Sequence, residues 1–379
     1  MQPHGYHPPR VTDPLRIALV GPGRSIHTKR WARRLADRGH EVHLFTEAPE
    51  PVPGVEVHDI LGPGIPGGVG LRKLWRRRYL RRRLDELRPD AVHAHFLFPY
   101  GEWAWRTGRR PLLHQAWGSD VLVIPERSAD RRQWAERLLR DADAVTVNSL
   151  VLRDAVLKLG APPDRVHEIG WGVDTQRFSG RRDRSVVDGL GLAGRPVVAS
   201  PRLHKEIYNL DVLMDAVPLV QREVPEAAFL FMADGPGTEA LRAQAERLGV
   251  ADAVRFARFD EEALPAAFAG CELSVSIPSS DSGRPSSLLE AMASALPVVV
   301  SDLPGIRELI DQDEGAEIVP VHDVDATAGA ITKLLSDPGL RARMGARNRD
   351  VVRERADAAR ETDRCIDLYR RLSGKRPVD

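Results

Sequence analysis

The sequence predicts an α/β protein made of two doubly wound parallel sheets in succession, and three observations predict it. Short runs rich in β-branched residues alternate with helix-patterned segments from one end to the other, which is the signature of βαβ units. A second series of such runs begins at Pro196, after a stretch with little apolar periodicity. The 379 residues, 42% hydrophobic and 29% charged, have an ordinary globular composition and are long enough to bury two cores.

Residues 1–13 are polar, with Pro and Gly and no apolar stretch of signal-peptide length, and read as a disordered leader. The first domain, 14–180, opens with the strand Arg16–Val20, the turn Gly21-Pro22-Gly23, a helix through Trp31 and Leu35 that closes at Gly39, and the strand Glu41–Phe45. A Pro/Gly-rich loop covers Gly62–Gly70, and further strands are expected at Ala91–Ala94, Leu112–Ala116 and Ala144–Asn148. Residues 181–194, rich in Gly, Arg and Asp, read as a linker. The second domain, 195–356, carries strands at Pro196–Ser200, Phe229–Ala233, Val254–Ala257, Leu273–Ile277 and Pro297–Ser301, and a helix occupies the segment from 357 to near Leu372. Ligands of such sheets bind beyond the carboxyl ends of the strands, so a cleft between two facing domains is the expected site.

Composition removes several classes of function. Lys and Arg total 55 against 54 for Asp and Glu, a formal charge of +1 that gives no whole-chain attraction to nucleic acid. Cys271 and Cys365 stand far apart without metal-ligand spacing, so neither a disulfide framework nor a zinc site is indicated, and a reducing cytoplasm fits. No run of about 18 apolar residues is present to span a bilayer.

Gly21-Pro22-Gly23 occupies the place where a dinucleotide fold holds phosphate. A third Gly and an acidic ribose ligand after the second strand are missing, since Phe45-Thr46 stands there, so an NAD fingerprint fails. The alternative is a tight turn at which another group approaches the backbone. A stronger signal runs from Ser279 to Gly305. Its small-residue loop leads from a strand end into a helix, so free backbone N–H groups and the positive helix end can face a diphosphate. Glu290, within the first turns, is placed to accept from ribose hydroxyls or else to complement the helix dipole.

The stretch Ser279–Ile310, together with Trp171-Gly-Val-Asp174 and Phe178, Met232-Ala-Asp-Gly-Pro236 and Asp90-Ala-Val-His-Ala-His95, resembles the retaining glycosyltransferases of family 4. The resemblance runs from Ile17 to about Leu372. It implies the GT-B fold, two Rossmann-like domains facing across a cleft, and a nucleotide-diphosphate sugar as co-substrate with no metal or other cofactor. The implied donor-side residues are Gly21, Gly23, Arg202, Gly235, Arg258, Gly283, Ser286, Ser287, Leu288 and Glu290, and the implied acceptor-side residues are His27, His95, Trp117 and Asp120. The C-terminal helix is implied to cross back to the first domain.

Departures from the family pattern bear on the sugar. Members carry two glutamates eight residues apart; Glu290 matches the second, and the first falls on Ser282 with Asp281 beside it. Either a shorter, shifted carboxylate or a neutral hydroxyl then meets the sugar. The Arg that faces the leaving diphosphate matches Arg202, whose planar fork suits it. The usual Lys position holds Ile207, with Lys205 the nearest replacement or a solvated surface charge. Trp117 stands where relatives place a His; His114 reads as structural, while His95 and His27 are the better cleft candidates. Arg202, Lys205, Asp281, Ser282 and His95 are thus the expected catalytic set.

Leu71–Leu84 places Leu71, Leu74, Trp75 and Leu84 at helical spacing with Arg on the remaining face. It reads as a packed helix with a solvated charged face, or as a peripheral contact with the anionic inner face of a membrane. The expected activity is glycosyl transfer from a nucleotide sugar to a small natural product, thiol metabolite, lipid or polysaccharide. The rival reading is a nucleotide-sugar-binding protein on the same fold with impaired catalysis.

Overall fold

The computed structural model describes residues 13–60, 69–281, 283–310, 312 and 314–375. Two compact units divide the chain: the first takes the residues up to Trp171 and from Ala359 on, the second Gly172–Ala358. The leader, the loop 62–70 for most of its length and Ser282 lie outside the described residues.

The first unit is a seven-stranded sheet of β1 (Arg16–Val20), β2 (Glu41–Thr46), β3 (Val55–Asp59), β4 (Ala91–His95), β5 (Leu112–Gln115), β6 (Ala144–Val147) and β7 (Val166–Glu168). Its order is β3-β2-β1-β4-β5-β6-β7, and every neighbouring pair is parallel. The helix Ile26–Asp37 buries Thr28, Trp31, Ala32 and Leu35, the i, i+3, i+4, i+7 stripe of an amphipathic helix. Complete burial of Leu35 alone is worth about 2 kcal/mol. The last helix, Ala358–Ser373, returns to this unit from Ala359 onward, and its Cys365, Ile366, Leu368 and Tyr369 share one core with Trp31 and Leu35. The Tyr369 hydroxyl lies 2.6 Å from His93 Nδ1 and accepts from Trp31 Nε1 at 3.4 Å.

The second unit is a six-stranded parallel sheet of β8 (Val197–Ser200), β9 (Ala228–Phe231), β10 (Val254–Phe256), β11 (Leu273–Ser276), β12 (Val298–Ser301) and β13 (Ala316–Val319), in the order β10-β9-β8-β11-β12-β13. Both sheets reverse their winding beside the first strand, between β1 and β4 and between β8 and β11. In open α/β sheets this reversal is where ligands bind, outside the carboxyl ends of the strands. The helix Ser286–Ala293 follows β11, and the helix Pro338–Arg355 packs against the turn that ends it. Gly345 permits this approach, since a Cβ there would lie 2.0 Å from the Ala295 carbonyl oxygen. Asn348 completes the seam by donating to the Leu296 and Gly315 carbonyls at 2.7 and 2.8 Å.

Several expectations are corrected. The presumed linker 181–194 belongs inside the second unit: Val187 and Leu192 are fully buried in its core, and Arg184 donates to the carbonyls of Gly270, Leu192 and Arg195. The chain instead crosses at Trp171–Gly172 and at Ala358–Ala359. Strands β3, β7 and β13 were not expected, and each is a sheet edge. The basic segment forms the helix Val69–Leu87, in which Leu80 and Leu84 are buried, Trp75 stacks on Tyr79, and Arg81, Arg82 and Arg83 pair with Asp85 or Glu86. The side chains of Leu71 and Leu74 lie outside the described residues. No helix among the described residues is long and apolar enough to cross a membrane.

Two predictions arise from this packing. Gly345→Ala forces a methyl group onto a backbone carbonyl and is expected to destabilise the chain by about 1–3 kcal/mol, read as a lowered urea midpoint. The second concerns three fully buried histidines on β4 and β5. Burial takes His95 and His114 down to about 3 and His93 well below its ordinary value. The unfolded chain takes up protons near pH 6.5 and the folded chain does not, so stability is full above pH 6.5 and is lost as pH falls from there toward 3. At pH 5 His95 and His114 each account for a loss of about 2 kcal/mol. The urea midpoint is expected to drop between pH 7.5 and pH 5, and an unchanged midpoint would show that these rings titrate normally in the fold.

Candidate functional site

In the second unit the loops leaving β8 and β11 meet. Pro201 ends β8, and the next residue, Arg202, is 7% exposed. One terminal nitrogen of its guanidinium donates to Asp281 Oδ2 at 2.7 Å, the other to Ser287 Oγ at 3.3 Å, and the Tyr208 ring lies 4.0 Å beneath it. Its Nε has no acceptor among the described residues. A planar cation is thus held in one orientation by a carboxylate, a hydroxyl and a ring face, with one buried donor left open.

The two loops are also tied directly. Asn209 sits in the left-handed region at φ 50°, where Asn is tolerated better than most residues. Its side chain donates to the Ile277 carbonyl at 2.9 Å and accepts from Ser279 Oγ at 2.8 Å, while Ser279 N–H donates to the Ile207 carbonyl. The helix Ser286–Ala293 begins behind Pro285 with no side-chain cap. The N–H groups of Leu288 and Leu289 both return to the Pro285 carbonyl. Those of Ser286 and Ser287 meet no acceptor among the described residues, so two amides at the positive helix end are open to an anion. Leu288 and Glu290 are buried in the same helix.

Gly235 and Gly283 act through their lack of a side chain. A Cβ on Gly235 would lie 2.7 Å from the His204 carbonyl oxygen, and Gly283 has φ 157° with its carbonyl oxygen 3.0 Å from where a Cβ on Gly305 would stand. The N–H of Gly235 donates to Thr238 Oγ1 at 3.1 Å, and that hydroxyl also lies 2.7 Å from His204 Nδ1. This joins the loop after β9 to the Arg202 loop. Arg258 stands apart, exposed and 3.3 Å from Asp234. Lys205 is exposed and forms no ion pair among the described residues. Arg202, Asp281 and Ser287 are therefore brought into contact, and Lys205 and Arg258 are not. Sequence reasoning missed Tyr208, Asn209 and His204. All three lie within or beside a short irregular loop, where no periodicity marks which side chains turn inward.

The expected site residues of the first unit are placed differently. Gly21 and Gly23 cannot present free amides: Gly21 N–H donates to the Phe45 carbonyl at 3.1 Å and Gly23 N–H to Thr46 Oγ1 at 2.8 Å. Gly23 exists for close packing, since a Cβ would lie 2.4 Å from the Ala48 carbonyl oxygen. Asp120 is fully buried, and its oxygens accept the N–H groups of Leu97, Trp117 and Gly118 at 2.8–3.0 Å. It builds the loop from within, and burial raises its carboxyl despite those bonds. His95 is fully buried, 3.4 Å from Thr28 Oγ1 and edge-on to Trp171 at 5.3 Å. Among the cleft candidates, His27 stacks on Trp171 at 5.3 Å and stands edge-on to Trp117 at 5.9 Å, one aromatic cluster with His95 beneath. His114 is buried with neither ring nitrogen partnered among the described residues.

The comparisons with known proteins bear on this arrangement. The family described as Glycosyltransferase Family 4 matches residues 23–177, and that described as Glycosyl transferases group 1 matches residues 194–351. The GDP-mannose-dependent alpha-(1-6)-phosphatidylinositol monomannoside mannosyltransferase of Mycolicibacterium smegmatis is 31% identical over 262 residues, covering 66% of this chain and 67% of that protein. A D-inositol 3-phosphate glycosyltransferase of Salinispora arenicola is 28% identical over 377 residues, covering 87% of this chain and 84% of its own length. The crystal structure of Anabaena HepE in complex with UDP-glucose superimposes with a TM-score of 0.79 at 20% identity, covering 94% of this chain and all of that one. Two parallel sheets in one chain, two family matches that together span most of it and a relative above 30% identity lead to one conclusion: this chain belongs to glycosyltransferase family 4 and has the GT-B fold.

Proposed function

We propose that this chain transfers a glycosyl group, with retention of configuration, from a nucleoside-diphosphate sugar to a hydroxyl of an inositol-bearing acceptor. The observation that carries the reading is the buried Arg202 fork beside two open amides at the start of the helix Ser286–Ala293. A departing diphosphate develops negative charge, and donors fixed in advance stabilise it without reorganisation. Arg202 would release Asp281 in part and turn its donors to the phosphates, with Ser286 and Ser287 N–H adding to the same field. Glu290 would accept from the ribose hydroxyls, and Asp281, freed from Arg202, would meet the sugar. The cationic fork and the helix end supply the positive potential, so the reading requires no metal there.

The acceptor class is suggested by the relatives named for D-inositol 3-phosphate and for phosphatidylinositol monomannoside. Their names and that of the Anabaena complex include both GDP-mannose and UDP-glucose, so a donor panel is the deciding experiment. Transfer from one of UDP-, GDP-, ADP- or dTDP-sugars to inositol phosphate or an inositol lipid is expected, with the anomer read by NMR. Two buried thiols in no disulfide, Cys271 and Cys365, fit work in a reducing cytoplasm. Ile207, exposed where family members carry a Lys, favours a second reading, a nucleotide-sugar binder with impaired catalysis. Tight donor binding with no turnover across all acceptors would select it.

Two variants test the site. Arg202→Ala is expected to lower transfer on the order of 100-fold and to weaken nucleoside-diphosphate binding in calorimetry; unchanged affinity removes Arg202 from the phosphate site. Glu290→Ala is expected to abolish most transfer with the circular dichroism spectrum preserved. Near-normal turnover with the active donor would take Glu290 out of the assignment.

A further inference from the structure

A second cluster lies in the first unit, on strands that contribute nothing to the donor site. Strands β2 and β3 run parallel at the sheet edge with His43 opposite Glu56 and Phe45 opposite His58. Side chains alternate along a strand, so Glu41 and His43 share a face with Glu56 and His58, while Val42 and Leu44 enter the core on the other side. The helix Val69–Leu87 covers this face: Leu80 and Leu84 pack with Phe45, and an Arg83 nitrogen lies 3.9 Å from Glu56 Oε1.

Three potential ligand atoms converge there. His43 Nδ1 is 3.0 Å from His58 Nε2 and 3.4 Å from Glu56 Oε2, and His58 Nε2 is 3.5 Å from Glu56 Oε1. Ligands held at about 2.0–2.1 Å around a tetrahedral ion stand roughly 3.3 Å from one another, and the edge between the rings and the edges to the two Glu56 oxygens are close to that length. The other nitrogen of His43, Nε2, faces Glu41 Oε1 at 3.0 Å, and Glu41 is held in turn by Arg16 at 2.8 Å. A carboxylate on the outer nitrogen of a ligating histidine is the partner that fixes ring orientation and raises basicity at a metal. Both rings are buried, and the exposed Glu56 leaves one side open to solvent.

We propose that His43, His58 and Glu56 bind one divalent first-row transition ion, with water in the fourth position, and that this ion clasps the edge strand β3 to β2. Imidazole and carboxylate together suit zinc, and exclude a preference for magnesium or calcium. Arg83 bonds Glu86 at 2.9 Å and stands farther from Glu56, at 3.9 Å.

The test uses the full chain, free of any affinity tag and stripped with a chelator, titrated with Zn2+ or Co2+ against a chromophoric competitor. One ion per chain is expected, with a rise in Tm that grows with free Zn2+, no rise with Mg2+, and the visible absorption of four-coordinate Co2+. His58→Asn is expected to weaken Zn2+ binding by roughly 100-fold and Glu56→Gln by roughly tenfold. Because Glu56 is exposed, its variant folds whether or not the histidine variant does. Absence of stoichiometric Zn2+, or Zn2+ held by Glu56→Gln and by His43→Gln/His58→Gln as tightly as by the parent chain, overturns the proposal.

Discussion

A guanidinium can leave water only when its charge is paired and most of its donors are met, and Arg202 meets that condition through its two terminal nitrogens across the chain reversal of the second sheet. Its partners come from the loop after β11 and the start of the helix that follows, its ring support from its own loop, and Asn209 binds the two loops to each other. The ion pair with Asp281 is largely sheltered, at 7% and 16% side-chain exposure. Removing either partner strands a charge. The same tension makes the site responsive: an anion that replaces Asp281 inherits an oriented fork and an unsatisfied Nε.

The helix that contributes Ser286 and Ser287 depends on close backbone approach for its position. Gly345 and Asn348 seat the helix Pro338–Arg355 against the turn at Ala295, while Gly283 and Gly305 pack backbone to backbone at the loop leading into the helix. Small residues in this region thus serve geometry twice, once where the amides at the helix start are bare and once where neighbouring backbone must come near. The first unit solves the opposite problem. Its strand ends β1, β4 and β5 carry glycines whose amides are bonded inside the fold and histidines that are fully buried, beside one aromatic group of His27, Trp117 and the buried Trp171.

The strand pattern shows which kinds of element are legible in one dimension. Central strands such as β1, β8 and β12 are apolar on both faces and read as uninterrupted runs. The missed strands β3, β7 and β13 are edges; β3 mixes apolar with polar residues, β7 has three residues, and β13 is a four-residue run broken by Glu317. The segment 181–194 read as a linker because its apolar residues, Val187 and Leu192, are few; each is nevertheless fully buried. Composition averages over such a stretch, whereas a core is made by individual side chains.

The sequence by itself determined the α/β class, the two successive sheets, the family and the presence of Arg202, Asp281, Ser286, Ser287 and Glu290 in loops and a helix start that follow strands. Those features are local, set by periodicity and by neighbours a few residues away. Tertiary structure decided which polar groups stay open and which are spent internally. Arg202 and Asp281 meet across 79 positions and Asp120 reaches Leu97 across 23, while the amides of Gly21 and Gly23 are closed by Phe45 and Thr46. Hydrogen-bond satisfaction depends on strand order, and strand order is not written in the spacing of residues along the chain.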